Sequence, residues 1–323
     1  MNKDARRALI CGVSGQDGGY LAKLLLEKEY MVFGTSRDAD LSSFQNLRAL
    51  KIRDQVDIFS VALNDFRSVL QVLERTEPDE IYNLAGQSSV GLSFEQPVET
   101  FYSIGVSVLN LVEAIRIRGR PVRFYNACSS ECFGNILNDG ANEETPFRPR
   151  SPYAVAKAAA FWEVLNYREG YNLYAVSGIL FNHESPLRPE RFVTRKIVTT
   201  ACRIARGSGE KLFLGDISVQ RDWGWAPEYM EAVWRILQQD TPEDFVIATG
   251  NSHSLEELVA AVFEQLDLDW HRHVARNEHL MRPTDVRRSC GDPRKASRKL
   301  GWTARYGMTD IVRMMIDAEM RAK

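Results

Sequence analysis

Tyr153 and Lys157 lie four residues apart in Ser151-Pro152-Tyr153-Ala154-Val155-Ala156-Lys157, the separation that stacks two side chains on one helical face. A phenol with a free pKa of about 10 is a poor base at neutral pH, but a neighbouring ammonium favours the phenolate, which can take a proton from a hydroxyl. That suits hydride loss from the carbon bearing the hydroxyl. Upstream, Cys128-Ser129-Ser130-Glu131-Cys132-Phe133-Gly134 delivers a hydroxyl and a carboxyl together. Ser129 is expected to hydrogen-bond the reacting oxygen, and Glu131 to serve as general base and acid near a sugar ring. Taken singly, the tyrosine-lysine pair reads as plain helix and the serine-glutamate segment as a polar turn. Their occurrence together, with a glycine loop at the start of the chain, points to catalysis.

That loop is Leu9-Ile10-Cys11-Gly12-Val13-Ser14-Gly15-Gln16-Asp17-Gly18, placed where a first strand turns into a first helix. Gly12 permits the tight turn, Gly15 lets the backbone approach a diphosphate, and Gly18 allows close helix-to-strand packing. The helix N-terminus then faces the anion, so a dinucleotide is expected here. The second strand ends in Gly34-Thr35-Ser36-Arg37-Asp38, where the adenosine ribose should lie. Arg37 suits a 2′-phosphate and hence NADP, whereas Asp38 suits a free ribose and NAD. NADP is the favoured reading and NAD stays open.

The elements that must position these groups alternate regularly. Apolar runs at Ala8 to Val13, Tyr30 to Thr35, Val56 to Leu63, Glu80 to Ala85, Arg123 to Ala127 and Tyr174 to Phe181 read as strands buried on both faces. Between or after them, Gly18 to Lys28, Phe66 to Glu74, Gly105 to Arg118, Tyr153 to Glu169 and Pro227 to Gln239 carry apolar residues at helical spacing. The pattern predicts a doubly wound α/β fold with a parallel sheet. From about Phe181 the rhythm breaks at Pro186, Pro189 and Pro227. A nucleotide-binding domain over residues 1–180, with a return segment at about 225–250, is therefore expected beside a smaller mixed α/β substrate-binding lobe over 181–224 and 251–323.

The chain has 323 residues and a formal net charge of −2 with both signs interspersed. That gives no reason to expect nucleic acid or a membrane surface as partner. The five cysteines are scattered and lack a paired framework, as in a reducing compartment. Cys128 and Cys132 have no further ligand nearby to complete a metal site and read as small buried residues. No export signal or uninterrupted apolar run of membrane-spanning length is visible, so a cytoplasmic location is the expectation.

The glycine loop, the Ser129/Tyr153/Lys157 set and the order of elements resemble the extended short-chain dehydrogenase/reductase family, with its Rossmann-like domain. Gly15-Gln16-Asp17-Gly18, Asn83-Leu84-Ala85-Gly86-Gln87-Ser88, Phe181-Asn182-His183-Glu184-Ser185-Pro186, Phe192-Val193-Thr194-Arg195-Lys196 and Arg221-Asp222-Trp223-Gly224 resemble, more narrowly, GDP-mannose 4,6-dehydratases. The likeness runs nearly end to end.

It implies Ser129, Glu131, Tyr153 and Lys157 as the catalytic set. It implies a cofactor site of Gly12, Ser14, Gly15, Gln16, Asp17, Gly18, Arg37, Leu63, Leu84, Ala85, His183 and Arg195, together with Tyr153 and Lys157. A GDP-sugar would be held by Gln87, Ser88, Asn182, Val193, Lys196, Arg221, Arg282 and Asp285. The implied reaction is an internal transfer of hydride from C4 to C6 of the sugar with loss of water, in a homodimer or homotetramer and without a metal.

Several positions depart from the family pattern: Ser129 for threonine, Gly19 for serine, Ala62 for an aspartate near the adenine, and Asp38 for an arginine. Arg287 stands where an acidic residue is usual. These departures keep a related GDP-hexose or GDP-heptose open as substrate. A 4-epimerase or 4-keto sugar reductase is the rival enzyme reading, and a non-catalytic cofactor sensor the rival class.

Overall fold

The computed structural model describes residues 5–136 and 140–321. Seven strands form one sheet in the order Phe245–Ile247, Ala175–Leu180, Arg123–Ser129, Glu80–Asn83, Arg7–Cys11, Met31–Ser36, Asp57–Ser60. Every neighbouring pair runs parallel. This is the doubly wound sheet expected from the apolar runs. Ala8, Leu9, Ile10 and Cys11 are fully buried because helices cover both faces.

One face is covered by the helices Gln16–Glu27 and Ala226–Leu237, whose Leu21, Leu25, Met230 and Val233 share a core with Ile10 and Tyr125. Phe66–Thr76, Pro97–Arg118 and Pro152–Tyr171 cover the other, burying Val69, Leu111, Ala156 and Val164 beside Leu9 and Ile81. Strand order reverses between Arg7–Cys11 and Glu80–Asn83, so a crevice opens there at the carboxyl ends of the strands.

Three expectations need correction. The run Val56 to Leu63 shrinks to the strand Asp57–Ser60, because it is an edge strand with a partner on one side only. The helix expected from Gly105 begins at Pro97 and passes through a π-helical turn at Tyr102–Val106 before Ser107–Arg118. This 22-residue stretch is apolar and long enough to cross a membrane by length and composition alone, and half of it is buried in the fold as core. Within 251–323, the helix Arg294–Leu300 packs through Ala296 and Leu300 into the sheet-side core, not into the smaller lobe.

The smaller lobe has its own core, built from the helices Val193–Ala205, Leu255–Glu264 and Met308–Arg321. Short strand pairs stitch it together: Asn182–Glu184 with Trp223–Trp225, Gln220–Arg221 with His253–Ser254, and Leu212–Leu214 with Val274–Arg276. Among the described residues, no group of three potential metal ligands is present.

Candidate active site

The helix bearing Tyr153 and Lys157 starts sharply for local reasons. Ser151 caps it, accepting a hydrogen bond from the Ala154 amide at 3.1 Å, and Pro152 occupies the first turn, where its missing N–H costs nothing. Tyr153 thus enters at the first turn and Lys157 follows on the same face, its Nζ 5.9 Å from the centre of the tyrosine ring. The ammonium donates to the Ala127 carbonyl at 2.7 Å, on the strand Arg123–Ser129 that also delivers Ser129. Helix and strand are locked through Lys157.

The strand then tightens into the 3₁₀ turn Ser130–Phe133, which places Glu131 two residues beyond Ser129. Ser129 Oγ accepts from the Glu131 amide at 3.3 Å and caps this turn. Gly134 closes it at φ +69°, and a β-carbon there would lie 2.4 Å from the Arg148 carbonyl oxygen. Only glycine satisfies both constraints.

Burial dominates the electrostatics. It pushes the Tyr153 phenol above its ordinary value, with the Ser129 hydroxyl pulling the other way. Against the help expected from the neighbouring ammonium stands the cost of desolvating a phenolate, and burial lowers Lys157 itself. Glu131 is likewise raised by burial, against the pull of Arg221 and Arg282.

Those arginines bring the smaller lobe to the site. Arg221, nearly buried, donates to the carbonyls of Val286 at 2.6 Å and Gln220 at 2.9 Å and pairs with Asp285 at 2.9 Å. Arg282 reaches the same Asp285 oxygen at 3.2 Å. Asp285 thus clamps two guanidinium groups beside Glu131. A cavity of about 520 Å³ adjoins this clamp, lined by Asn135, Arg150, Asp216, Asp285, Arg287 and Arg288.

A dinucleotide fits the opposite end. Gly12 adopts φ +85° with Ala85 backbone atoms 3.0 Å from where a β-carbon would sit, and a β-carbon on Gly18 would meet the Gly12 carbonyl oxygen at 2.4 Å. Gly15, the N-cap of Gln16–Glu27, brings no side-chain acceptor, so first-turn amides remain for a diphosphate. Leu63, Leu84 and Ala85 lie half-buried near the carboxyl ends of their strands, and Ser14 and Arg37 are exposed. Asp38 Oδ1 accepts from the amides of Asp40 at 3.1 Å and Leu41 at 2.9 Å.

Other candidates take different duties. Asp17 pairs with His183 Nε2 at 3.0 Å, and Gln16 Oε1 accepts from Ser185 at 2.7 Å. Their side chains therefore tie the glycine loop to the segment 181–188, leaving their backbone for the ligand. Arg195 is not brought to the glycine loop: it pairs with Glu319 at 2.7 Å, because its helix packs on Met308–Arg321. Lys196 donates to the Phe213 carbonyl at 2.7 Å and lines a second cavity of about 400 Å³. Val193 opens the same helix, partly exposed, and Asn182 begins the strand Asn182–Glu184. Gln87 donates to Thr100 Oγ1 at 3.2 Å, turned toward a helix start, while Ser88 is exposed.

Asp222 belongs to the Arg-Asp-Trp-Gly motif, yet the sequence assigns it no role. It is fully buried and accepts from the amides of Thr249 at 2.9 Å, Gly250 at 2.9 Å and Gly291 at 3.3 Å. It anchors two loops behind Arg221. Only its adjacency to that arginine could have marked it in the sequence.

Residues 9–315 match the family model described as GDP-mannose 4,6 dehydratase. GDP-mannose 4,6 dehydratase 1 of Arabidopsis thaliana is 43% identical over 98% of this chain and 91% of its own length. The chain belongs to the GDP-mannose 4,6-dehydratase family. The GDP-mannose 4,6 dehydratase of Homo sapiens is 41% identical over 99% of this chain and 93% of that protein. Among solved structures, the UDP-glucose 4-epimerase of Thermus thermophilus in complex with NAD superposes with a TM-score of 0.85 at 27% identity, covering 98% of this chain and 100% of that one. RMD from Pseudomonas aeruginosa complexed with NADPH gives 0.78 at 22% identity, covering 98% of each chain, a likeness of fold alone. Family membership and the joined lobes explain why Ser129, Glu131 and Tyr153 share one end of the sheet with the Arg221–Asp285–Arg282 clamp.

Proposed function

We propose that the protein dehydrates GDP-mannose to GDP-4-keto-6-deoxymannose, with NADP as its resident cofactor. The observation that carries this reading is Glu131: a half-buried carboxyl with a raised pKa, within electrostatic reach of both Tyr153 and the arginine clamp. An epimerase acting only at C4 has no use for it.

Bound at the glycine loop, a nicotinamide cofactor would supply a hydride acceptor able to give back what it takes. Tyr153 removes the C4 hydroxyl proton while Ser129 hydrogen-bonds the same oxygen. The resulting ketone acidifies C5. Glu131, ionised, takes the C5 proton and, now an acid, protonates the departing C6 hydroxyl as water. Arg221 and Arg282, rigid through Asp285, hold the diphosphate with their remaining N–H groups. Exposed at the end of the second strand, Arg37 can pair with a 2′-phosphate and so favours NADP.

We also propose a homodimer. Phe101, Tyr102, Leu109, Val155 and Trp162 are exposed apolar residues on the adjacent helices Pro97–Arg118 and Pro152–Tyr171. A second copy of the same face would cover them.

The test is incubation with GDP-mannose in heavy water, with NADP and NAD in separate arms. The expected product has lost water and carries one solvent deuterium at C5, formed faster with NADP. Unchanged GDP-mannose in both arms would overturn the proposal.

A further inference from the structure

Two thiols lie behind the catalytic turn, and the reaction uses neither. Cys128 lies next to Ser129 at the end of the strand Arg123–Ser129, and Cys132 lies in the 3₁₀ turn with Glu131. Their sulfurs are 3.7 Å apart, and no other pair of thiols touches among the described residues. Each also reaches the catalytic helix: Cys128 Sγ is 3.9 Å from the Lys157 carbonyl, and Cys132 Sγ is 3.6 Å from that of Ala154. Ser129 and Glu131 are thus strung between two sulfurs that face one apolar core.

We infer that Cys128 and Cys132 form an oxidisable pair, a modification site for hydrogen peroxide, and that their disulfide reversibly switches off the catalytic turn. The balance is simple. Cys128, 3% exposed against 0% for Cys132, gives up its proton and attacks one peroxide oxygen. The O–O bond breaks, hydroxide leaves and takes up a proton as water, and a sulfenic acid remains. Cys132 then attacks that sulfur, losing its proton as the sulfenic hydroxyl departs as a second water. Two thiols lose two electrons, and the peroxide becomes two waters.

The consequence follows from distance. Closing a 3.7 Å contact to a sulfur-sulfur bond of about 2.0 Å must drag the turn that aims Ser129 and Glu131. A misplacement on that scale lowers turnover on the order of a hundredfold. Burial, which pushes the Cys132 thiol up, slows its attack on the sulfenic sulfur, so closure of the disulfide is faster as pH rises.

The turnover readout rests on the dehydratase reading, whereas the mass readout does not. The purified full chain, with its cofactor, is treated with hydrogen peroxide. We expect the tryptic peptide holding both cysteines to lose two hydrogens, and turnover to fall in step and return with dithiothreitol. Cys128→Ala and Cys132→Ala are expected to keep most of their turnover and resist peroxide. Oxidation confined to Cys11, Cys202 or Cys290, a disulfide that leaves turnover intact, or variants inactivated like the parent would each overturn the inference. If no variant turns over GDP-mannose at all, the peptide mass alone decides.

Discussion

At the residue, the buried phenol of Tyr153 sets the terms. Its pKa is raised by burial, so the proposed mechanism requires that the positive charge of a bound, oxidised nicotinamide favour the phenolate that takes the C4 proton. Tyr153→Phe is expected to lower kcat by roughly 10²- to 10⁴-fold while leaving GDP-mannose binding near normal. Steady-state kinetics with calorimetry checks it; unaltered turnover would remove the tyrosine from the mechanism. Glu131 has to be ionised to take the C5 proton, and burial raises its pKa. The acid limb of the kcat profile should therefore lie above the ordinary carboxylate range, with activity lost as pH falls through it. Glu131→Gln should abolish that limb, halt water loss and let reduced cofactor accumulate, visible by absorbance. Normal product formation by this variant would refute the acid-base role.

At the level of elements, contacts between distant segments decide what the local residues can do. Burial pushes the Asp17 carboxyl up, but His183 and Gln16 together pull it down to about 2. Burial likewise works against the His183 imidazolium, and Asp17 raises it nonetheless. The pair joins the first helix to the segment 181–188. The aspartate's contribution is present above about pH 4 and lost as pH falls toward 2. The histidine's contribution is fully present below about pH 6.5 and lost as pH rises through its higher folded value. Asp17→Asn should therefore cost about 2 kcal/mol near pH 5.5, and less at pH 9, in urea unfolding. An equal cost at both pH values would contradict the ion pair. Asp222→Ala strips three loop amides of their acceptor and should cost on the order of 3 kcal/mol by the same measurement.

These contacts also mark what was readable beforehand. The glycine loop and the tyrosine-lysine pair were legible because each rests on neighbours within a few residues. The Asp17–His183 pair spans 166 positions, the Arg195–Glu319 pair joins two helices of the smaller lobe, and Asp222 works through loops closed only in three dimensions. No local periodicity encodes such partners. The edge strand Asp57–Ser60 shortened for a related reason, since pairing on one side depends on where the sheet ends.

For the whole molecule, two lobes with separate cores meet over one end of a parallel sheet, and the proposed mechanism has different lobes hold the substrate's diphosphate and its reacting sugar. Trp162→Glu, on the exposed face of its helix, should convert the proposed dimer to monomer in sedimentation experiments; an unchanged mass would place the contact elsewhere. The central claim is that one sugar lends a hydride from C4 and receives it back at C6. GDP-mannose carrying deuterium at C4 tests it most directly. The product should be a 4-keto-6-deoxy sugar with that deuterium on C6, and a product without label at C6, or one that keeps its C6 hydroxyl, would contradict the account.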